Sequence, residues 1–385
     1  MSDHAPLLLD VTRLIWRRWK GRHPTGIDRV CLAYLDHFGS RSQAVIHHDR
    51  FRGILDRKAS RELFDILRSP PGTFRSSLLL GVLRNLARLN DSGRNRLYLN
   101  IGHTGLNSAG FRAWCAHAQV RPVYLVHDLI PITHPEFCRA GETEKHRQRM
   151  LTVLSTAAGV IGNSRSTLDE LAGFAREEGH AMPPSVVAWL GTAEIALAGT
   201  NQAPHRPTFV VLGTIEGRKN HEMLLRIWAR LVEQLGPRAP QLLIIGQRGW
   251  EADPVFDLLD RSEKLRGHVI ELNDCSDDDM ARHLASARAL LFPSLVEGFG
   301  LPLVEALGMG VPVIASDLPV FREIGSDIPA YLDARDESAW ERAILDYAND
   351  SSASREAQLK RLSGFRAPTW SEHFDRVEAW LRTLD

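Results

Sequence analysis

The chain has 385 residues, 47 basic and 47 acidic side chains, and a hydrophobic content of 44%. Balanced charge implies no polyelectrolyte partner overall, so nucleic acid is not expected, and no apolar run approaches the roughly 20 residues of a membrane span. The length allows two domains of ordinary size. The opening Met1-Ser2-Asp3-His4 lacks the basic n-region and apolar core of a secretory leader. Cys31, Cys115, Cys138 and Cys275 are scattered without metal or redox spacing, which leads us to expect a reduced, cytoplasmic protein.

Leu7-Leu8-Leu9-Asp10-Val11 reads as a buried first strand. Arg13, Arg17, Arg18, Lys20, Arg22 and Arg29 follow, interleaved with Trp16 and Trp19, and 13–29 reads as a basic, Trp-bearing loop. Such a loop suits peripheral contact with the anionic inner face of a membrane, or a grip on a polyprenyl-pyrophosphate-linked acceptor. The alternative is a solvated loop whose tryptophans pack on the core. Within it, Pro24-Thr25-Gly26 runs into a helix to about Phe38, and Gly26 would let a backbone amide approach a phosphate.

Residues 50–95 are rich in Arg and Leu and read as helices, with a loop at Ser69-Pro70-Pro71-Gly72. Leu97 to Ile101 is a strand that ends at Gly102-His103-Thr104-Gly105. Open α/β sheets bind ligands at such strand ends, so His103 is a ligand-site candidate, which the resemblance given below would make part of the acceptor site. Val123 to Val126 is a further strand, leading to His127-Asp128-Leu129-Ile130-Pro131. His127 is either a site residue or a core imidazole bonded to backbone; Asp128 either fixes the loop or joins the acceptor site. Glu142 to Ala158 reads as a helix, and Ser164 or Ser166 as a helix N-cap. Residues 192–207, with Pro204 and Pro207, read as a linker between domains 1–191 and 208–368.

The second half opens on Phe209-Val210-Val211-Leu212-Gly213, then Thr214-Ile215-Glu216-Gly217-Arg218-Lys219-Asn220 and a helix from about His221 to Leu235. Strand, glycine turn, basic pair and helix make a phosphate site, with Arg218 and Lys219 as its charges. Strands follow at Gln241 to Ile245 and Val269 to Leu272, and Ser276 caps an acidic-first-turn helix. Its acidic run has no metal-site spacing. After the strand Ala289 to Phe292 comes Glu297-Gly298-Phe299-Gly300-Leu301-Pro302-Leu303-Val304-Glu305. The glycines predict a tight loop, Pro302 a helix start, and Gly308 with Gly310 its end. Glu305 is the only charged residue from Gly298 to Ser316. A carboxylate on a helix apolar all round must meet something polar, and a ribose diol would satisfy it. The tail 369–385 reads as an amphipathic helix through Trp370, Phe374, Val377 and Trp380.

The pair Glu297-x7-Glu305 around Gly298-Phe299-Gly300-Leu301-Pro302 resembles the signature of glycosyltransferase family 4. The likeness is strongest over 208–333 and weaker over 7–190. It implies an α/β GT-B fold: two Rossmann-like domains facing a cleft, with a C-terminal helix crossing back to the first. It implies a retaining enzyme of bacterial polysaccharide assembly that moves a hexose from a nucleoside-diphosphate sugar to a hydroxyl of a glycan or lipid-linked acceptor. By the resemblance, His127 and Glu297 face the donor sugar. Gly26, Arg218, Lys219, Gly298, Phe299, Gly300, Leu301 and Glu305 hold the donor, and Leu272 and Asn273 pass its base. The chain has Thr214 where the family often has Arg: either Arg218 supplies that guanidinium, or only Lys219 meets the diphosphate. The resemblance implies neither cofactor nor metal, and the motif style favours GDP-mannose. The rival readings are a UDP-sugar-dependent transferase or epimerase on this fold, and a non-catalytic sugar-nucleotide-binding scaffold.

Overall fold

The computed structural model describes residues 6–21, 25–48, 51–69, 89–90, 92–192 and 206–384. They divide into two compact units. The first comprises Met1–Ile132, Thr143–Leu190 and Trp370–Asp385; the second comprises Thr133–Glu142 and Gly191–Thr369.

The first unit holds the strands β1 (Leu7–Asp10), β2 (Ser42–His48), β3 (Phe51–Leu55), β4 (Leu89–Asn90), β5 (Leu97–Asn100), β6 (Arg121–Val126), β7 (Gly159–Gly162) and β8 (Ser185–Val187). Their order is β4-β3-β2-β1-β5-β6-β7-β8. From β2 to β8 the neighbours are parallel, and β3 and β4 add antiparallel at one edge. Runs such as Val123-Tyr124-Leu125-Val126 are wholly buried, as strands covered by helices on both faces must be. The helix Trp370–Leu381 belongs to this unit. It packs Phe374 against Tyr34 with ring centroids 5.1 Å apart, and its His373 Nε2 lies 2.9 Å from Tyr34 Oη. The expected return of the tail to the first domain is therefore observed.

The second unit holds β9 (Thr208–Leu212), β10 (Gln241–Ile245), β11 (Val269–Leu272), β12 (Ala289–Phe292), β13 (Val313–Ser316) and β14 (Ala330–Leu332). They are all parallel, in the order β11-β10-β9-β12-β13-β14. That is the 3-2-1-4-5-6 order of a doubly wound dinucleotide-binding sheet. The helix His221–Leu235 turns Leu224, Ile227, Trp228 and Leu231 into the core. The Trp228 indole, fully buried, donates to the Pro240 carbonyl at 2.9 Å, which removes the cost of burying its N–H.

Two sequence expectations need correction. The stretch 13–29 is not one basic loop: Thr12–Trp19 is helical, and Gly26 is the first residue of the helix Gly26–Phe38. Several of its cations are engaged, and Arg18 Nη1 donates to the Ile66 carbonyl at 3.4 Å and to the Ser69 carbonyl. Arg13 Nε donates to Asp28 Oδ1 at 2.6 Å and Arg17 Nε lies 2.8 Å from Asp28 Oδ2, with Asp28 buried. Part of the charge that suggested an anionic surface thus answers a buried carboxylate. Trp16 remains exposed and Trp19 is half-buried. The stretch 50–95 is also not all helical: it supplies β3, the helix Arg57–Arg68 and β4. Residues 22–24, 70–88 and most of the expected linker 192–207 lie outside the described residues. Among those described, no helix is long and apolar enough to cross a membrane.

Candidate active site

In the second unit the strand order reverses between β9 and β12, and ligands of open α/β sheets bind outside the carboxyl ends of strands at such a switch. The loop after β9 carries Arg218 and Lys219; the loop after β12 carries Glu297. The two loops are joined: Leu295 N–H donates to the Arg218 carbonyl at 2.7 Å. Gly213 sits at φ 125°, a backbone state that disfavours any side chain, and a Cβ there would lie 3.8 Å from Lys219 Nζ.

The charges gather around Glu297. Arg218 Nη1 donates to Glu297 Oε2 at 2.8 Å and to the Val296 carbonyl at 3.2 Å, while Nη2 pairs with Glu216 at 2.6 Å. Lys219 Nζ pairs with Glu297 Oε1, which also accepts from Ser294 Oγ at 2.8 Å. The same ammonium lies 5.0 Å from the Phe292 ring centroid. Glu216 and Lys219 are buried, and the side chain of Glu297 is 8% exposed. Burial alone would raise the Glu297 carboxyl, but Arg218 and Lys219 hold it down to about 2. Burial lowers the Lys219 ammonium, and Glu297 opposes that shift. The cluster thus balances two cations against two carboxylates, as buried charges require.

Glu297 is followed by the glycine loop. Gly300 takes φ 105°, and a Cβ on it would stand 2.7 Å from the Phe321 ring, so both conformation and space require glycine. Phe321 stacks on Phe292 at 4.7 Å beneath the loop. Gly300 caps the helix Leu301–Gly308, with Pro302 in its first turn. Phe299 and Glu305 are each 4% exposed, and Leu303, Val304, Ala306 and Leu307 are buried around Glu305. The expected apolar helix carrying one buried carboxylate is what is found. Leu272 ends the edge strand β11, and Asn273 follows it, exposed.

In the first unit, sequence pointed to His103, His127 and Asp128, and the structure brings them together. His127 is 6% exposed; its Nε2 lies 2.7 Å from the Ile101 carbonyl. His103, at φ 55°, places Nε2 2.8 Å from the Leu125 carbonyl, with ring centroids 5.3 Å from His127. A carbonyl only accepts, so each Nε2 carries the proton and each neutral ring leaves Nδ1 as an acceptor. Burial pushes His127 down to about 4, and lowers His103 well below its ordinary value with help from His127. Asp128 Oδ1 accepts from Ile130 N–H at 3.2 Å, the loop-fixing role. Ser164 caps the helix Arg165–Glu177, accepting from Thr167 N–H at 3.0 Å.

Sequence reasoning missed four residues. Glu216 and Ser294 complete the ion cluster; their nearness to Lys219 and Glu297 in the chain was the available signal. His146 lies 5.9 Å from His103, and its Nε2 lies 3.1 Å from the Asp128 carbonyl, on a helix whose polar sequence gave no hint. His221 opens its helix 2% exposed, and burial with the adjacent Lys219 charge depresses it to about 3.

Residues 195–361 match the family model described as glycosyl transferases group 1. The match covers less than half of the chain. The group 1 stretch contains both Arg218–Lys219 and the Glu297–Glu305 loop and helix. The chain is 28% identical over 240 residues to the serotype-specific mannosyltransferase WbdA of Escherichia coli, covering 58% of this chain and 29% of WbdA. It is 34% identical over 159 residues to O-antigen chain mannosyltransferase B of the same species, 41% of each chain. The chain therefore spans well under half the length of these curated relatives. Its fold is similar to Anabaena HepE, solved with UDP-glucose, at a TM-score of 0.69 and 14% identity over 99% of this chain and 100% of that one. It is also similar to sucrose-phosphate synthase of Thermosynechococcus elongatus, at a TM-score of 0.61 and 15% identity over 99% of both. The architecture is the GT-B fold, with two Rossmann-like units.

Proposed function

We propose that the chain is a retaining glycosyltransferase that moves a hexose, with mannose favoured, from a nucleoside-diphosphate sugar to a hydroxyl of a glycan or lipid-linked acceptor. The observation that carries this reading is the largely buried Arg218–Lys219–Glu297 cluster, with Arg218 at its partly exposed edge, at the switch point of the second sheet. Two cations held by carboxylates beside a glycine loop form a site in which phosphate oxygens can replace carboxylate oxygens without exposing the charges. Arg218 and Lys219 would then stabilise the diphosphate as it leaves. Glu305 would accept from the ribose hydroxyls, and the amides of Gly298 to Leu301 would meet the phosphates. The bond from the anomeric carbon to phosphate breaks, the bond to the acceptor oxygen forms on the same face, and the acceptor proton passes to the leaving phosphate oxygen. The resemblance assigns His127 to the donor sugar. As a neutral imidazole with Nδ1 accepting, it would hold a hydroxyl and trade no proton.

Mannose is favoured because the curated relatives WbdA and O-antigen chain mannosyltransferase B carry that activity in their names. A UDP-sugar donor is the second reading, favoured by HepE, which was solved with UDP-glucose. The scaffold reading is weakened by the presence of Lys219, Glu297 and His127 together. The test is transfer from GDP-mannose to a mannoside, with the product anomer assigned by NMR. Retained configuration is expected. An inverted product, or donor consumption at the same rate without acceptor, would sink the reading.

A further inference from the structure

The second unit contains a cavity of about 400 Å³ that the ion cluster does not occupy. It lies past the carboxyl ends of β13 and β14, where Ser316, Asp317, Asp333 and Arg335 line it; Glu136 and Phe137 reach it from the segment Thr133–Glu142. The volume is within the range of small-molecule sites, about 300–1,000 Å³. Leu295 also lines it, the residue whose N–H is bonded to the Arg218 carbonyl. The cavity therefore adjoins the loop that carries Glu297.

Its lining selects a chemistry. Three carboxylates, Glu136, Asp317 and Asp333, face one guanidinium, Arg335; Asp317 is further paired with Arg322. An anionic ligand such as a diphosphate would meet net repulsion. A neutral polyol would not, because its hydroxyls donate to carboxylates and accept from Arg335. Phe137, with His134 stacked beside it at a 15° interplanar angle, offers an apolar face for a sugar ring. The second observation is Ser316. It is fully buried at the end of β13, and among the described residues its Oγ has no hydrogen-bond partner. A buried hydroxyl without a partner keeps the desolvation cost of burial with nothing to offset it. Ser316 lines the cavity, and a ligand there that draws the hydroxyl round toward it removes that cost.

We propose that this cavity, with Ser316, Glu136, Asp333 and Arg335 as its polar contacts, binds an uncharged hexosyl unit of the acceptor glycan. The inference rests on the transferase reading above. A hexosyl ring could also come from the donor. The favoured source is the acceptor, because the far wall after β14 is two strand spacings, roughly 10 Å, from β12, and a donor ring is tied directly to the diphosphate at the β9–β12 switch.

The probe is α-mannobiose, titrated into the full chain without nucleotide and followed by saturation-transfer NMR, with GDP and GDP-mannose titrated separately. The variants are Ser316→Ala and Asp333→Asn. Each should weaken mannobiose binding about tenfold, the worth of one hydrogen bond, while GDP affinity stays unchanged. Ser316→Ala should leave the melting temperature unchanged or raised, since it removes a hydroxyl with no partner in the free protein. Mannobiose binding unaltered in both folded variants would overturn the proposal, as would a variant that weakens GDP-mannose and not mannobiose, which would give the cavity to the donor sugar. Marked destabilisation by Ser316→Ala with sugar binding intact would make the hydroxyl structural and also overturn it. Failure of wild-type protein to bind GDP or UDP would count against the transferase reading, and mannobiose binding would still report on the cavity.

Discussion

Glu297→Gln separates the two jobs assigned to this carboxylate, holding cations and meeting sugar. In the free protein Glu297 neutralises Arg218 and Lys219 together with Glu216. The amide keeps the shape and an acceptor oxygen but removes one negative charge. For a phosphate arriving about 5 Å away, a unit charge at an effective dielectric of 20 is worth roughly 3 kcal/mol. Glu216 turning toward the freed cations reduces that, leaving about 1–2 kcal/mol, or roughly 5- to 30-fold tighter GDP or UDP. Stability should move the other way. The fall of the Glu297 carboxyl from its ordinary 4.5 to about 2 corresponds to about 3 kcal/mol of pairing at neutral pH that the amide forfeits. Calorimetry with the nucleoside diphosphate at fixed ionic strength reads the first effect, and urea unfolding reads the second. Turnover should fall at the same time, because the sugar loses its carboxylate. A folded variant with unchanged or weaker nucleotide affinity would refute the electrostatic reasoning.

Further outcomes are expected. Glu305→Ala should weaken nucleoside diphosphate binding by about tenfold or more, one to two charge-assisted hydrogen bonds to the ribose; the same loss for inorganic pyrophosphate, which carries no ribose, would remove the ribose role. His127→Ala should lower kcat far more than donor affinity, and the wild-type kcat should show no titration near pH 6.5, since burial holds this imidazole near 4. A wild-type kcat inflection close to 6.5 that vanishes in the variant would contradict the neutral-acceptor role. Acid should destabilise the protein early. His127 and His373 are pushed down to about 4 and His221 to about 3, burial being the first cause in each. Their stabilisation is complete above pH 6.5 and is lost as pH falls toward 4, because the unfolded chain takes up protons first. At pH 5 each imidazole costs about 2 kcal/mol, so a urea midpoint equal at pH 7.5 and pH 5 would refute their burial as neutral rings.

The second unit was the more legible half because its information is local. A parallel sheet covered on both faces writes itself as short apolar runs, so β9, β10, β12 and β13 stood out. Gly300 is required by a positive φ and by the Phe321 ring, and Glu305 is a lone charge on an apolar helix. The first unit hid more. The charges of 13–29 suggested a loop, because their partner Asp28 becomes a neighbour only when two helices pack. β2 has polar ends, Ser42-Gln43 and His47-His48, and β3 carries Arg52, which break the apolar pattern of a buried strand. His146 joins His103 and His127 from a distant helix, a contact that no spacing in the chain encodes. Lys219 and Glu297 are 78 residues apart, and only their motifs brought them into one site before the fold did.

The central claim is that the Arg218–Lys219–Glu297 cluster and Glu305 hold the diphosphate and ribose of a sugar nucleotide. It is tested most directly by calorimetric titration of wild-type and Lys219→Ala protein with GDP, UDP, ADP and dTDP. The account predicts saturable binding to the wild type, with GDP preferred, and at least about a tenfold loss on removing the ammonium. Binding of no nucleotide by the wild type, or equal binding by a folded Lys219→Ala protein, would contradict it.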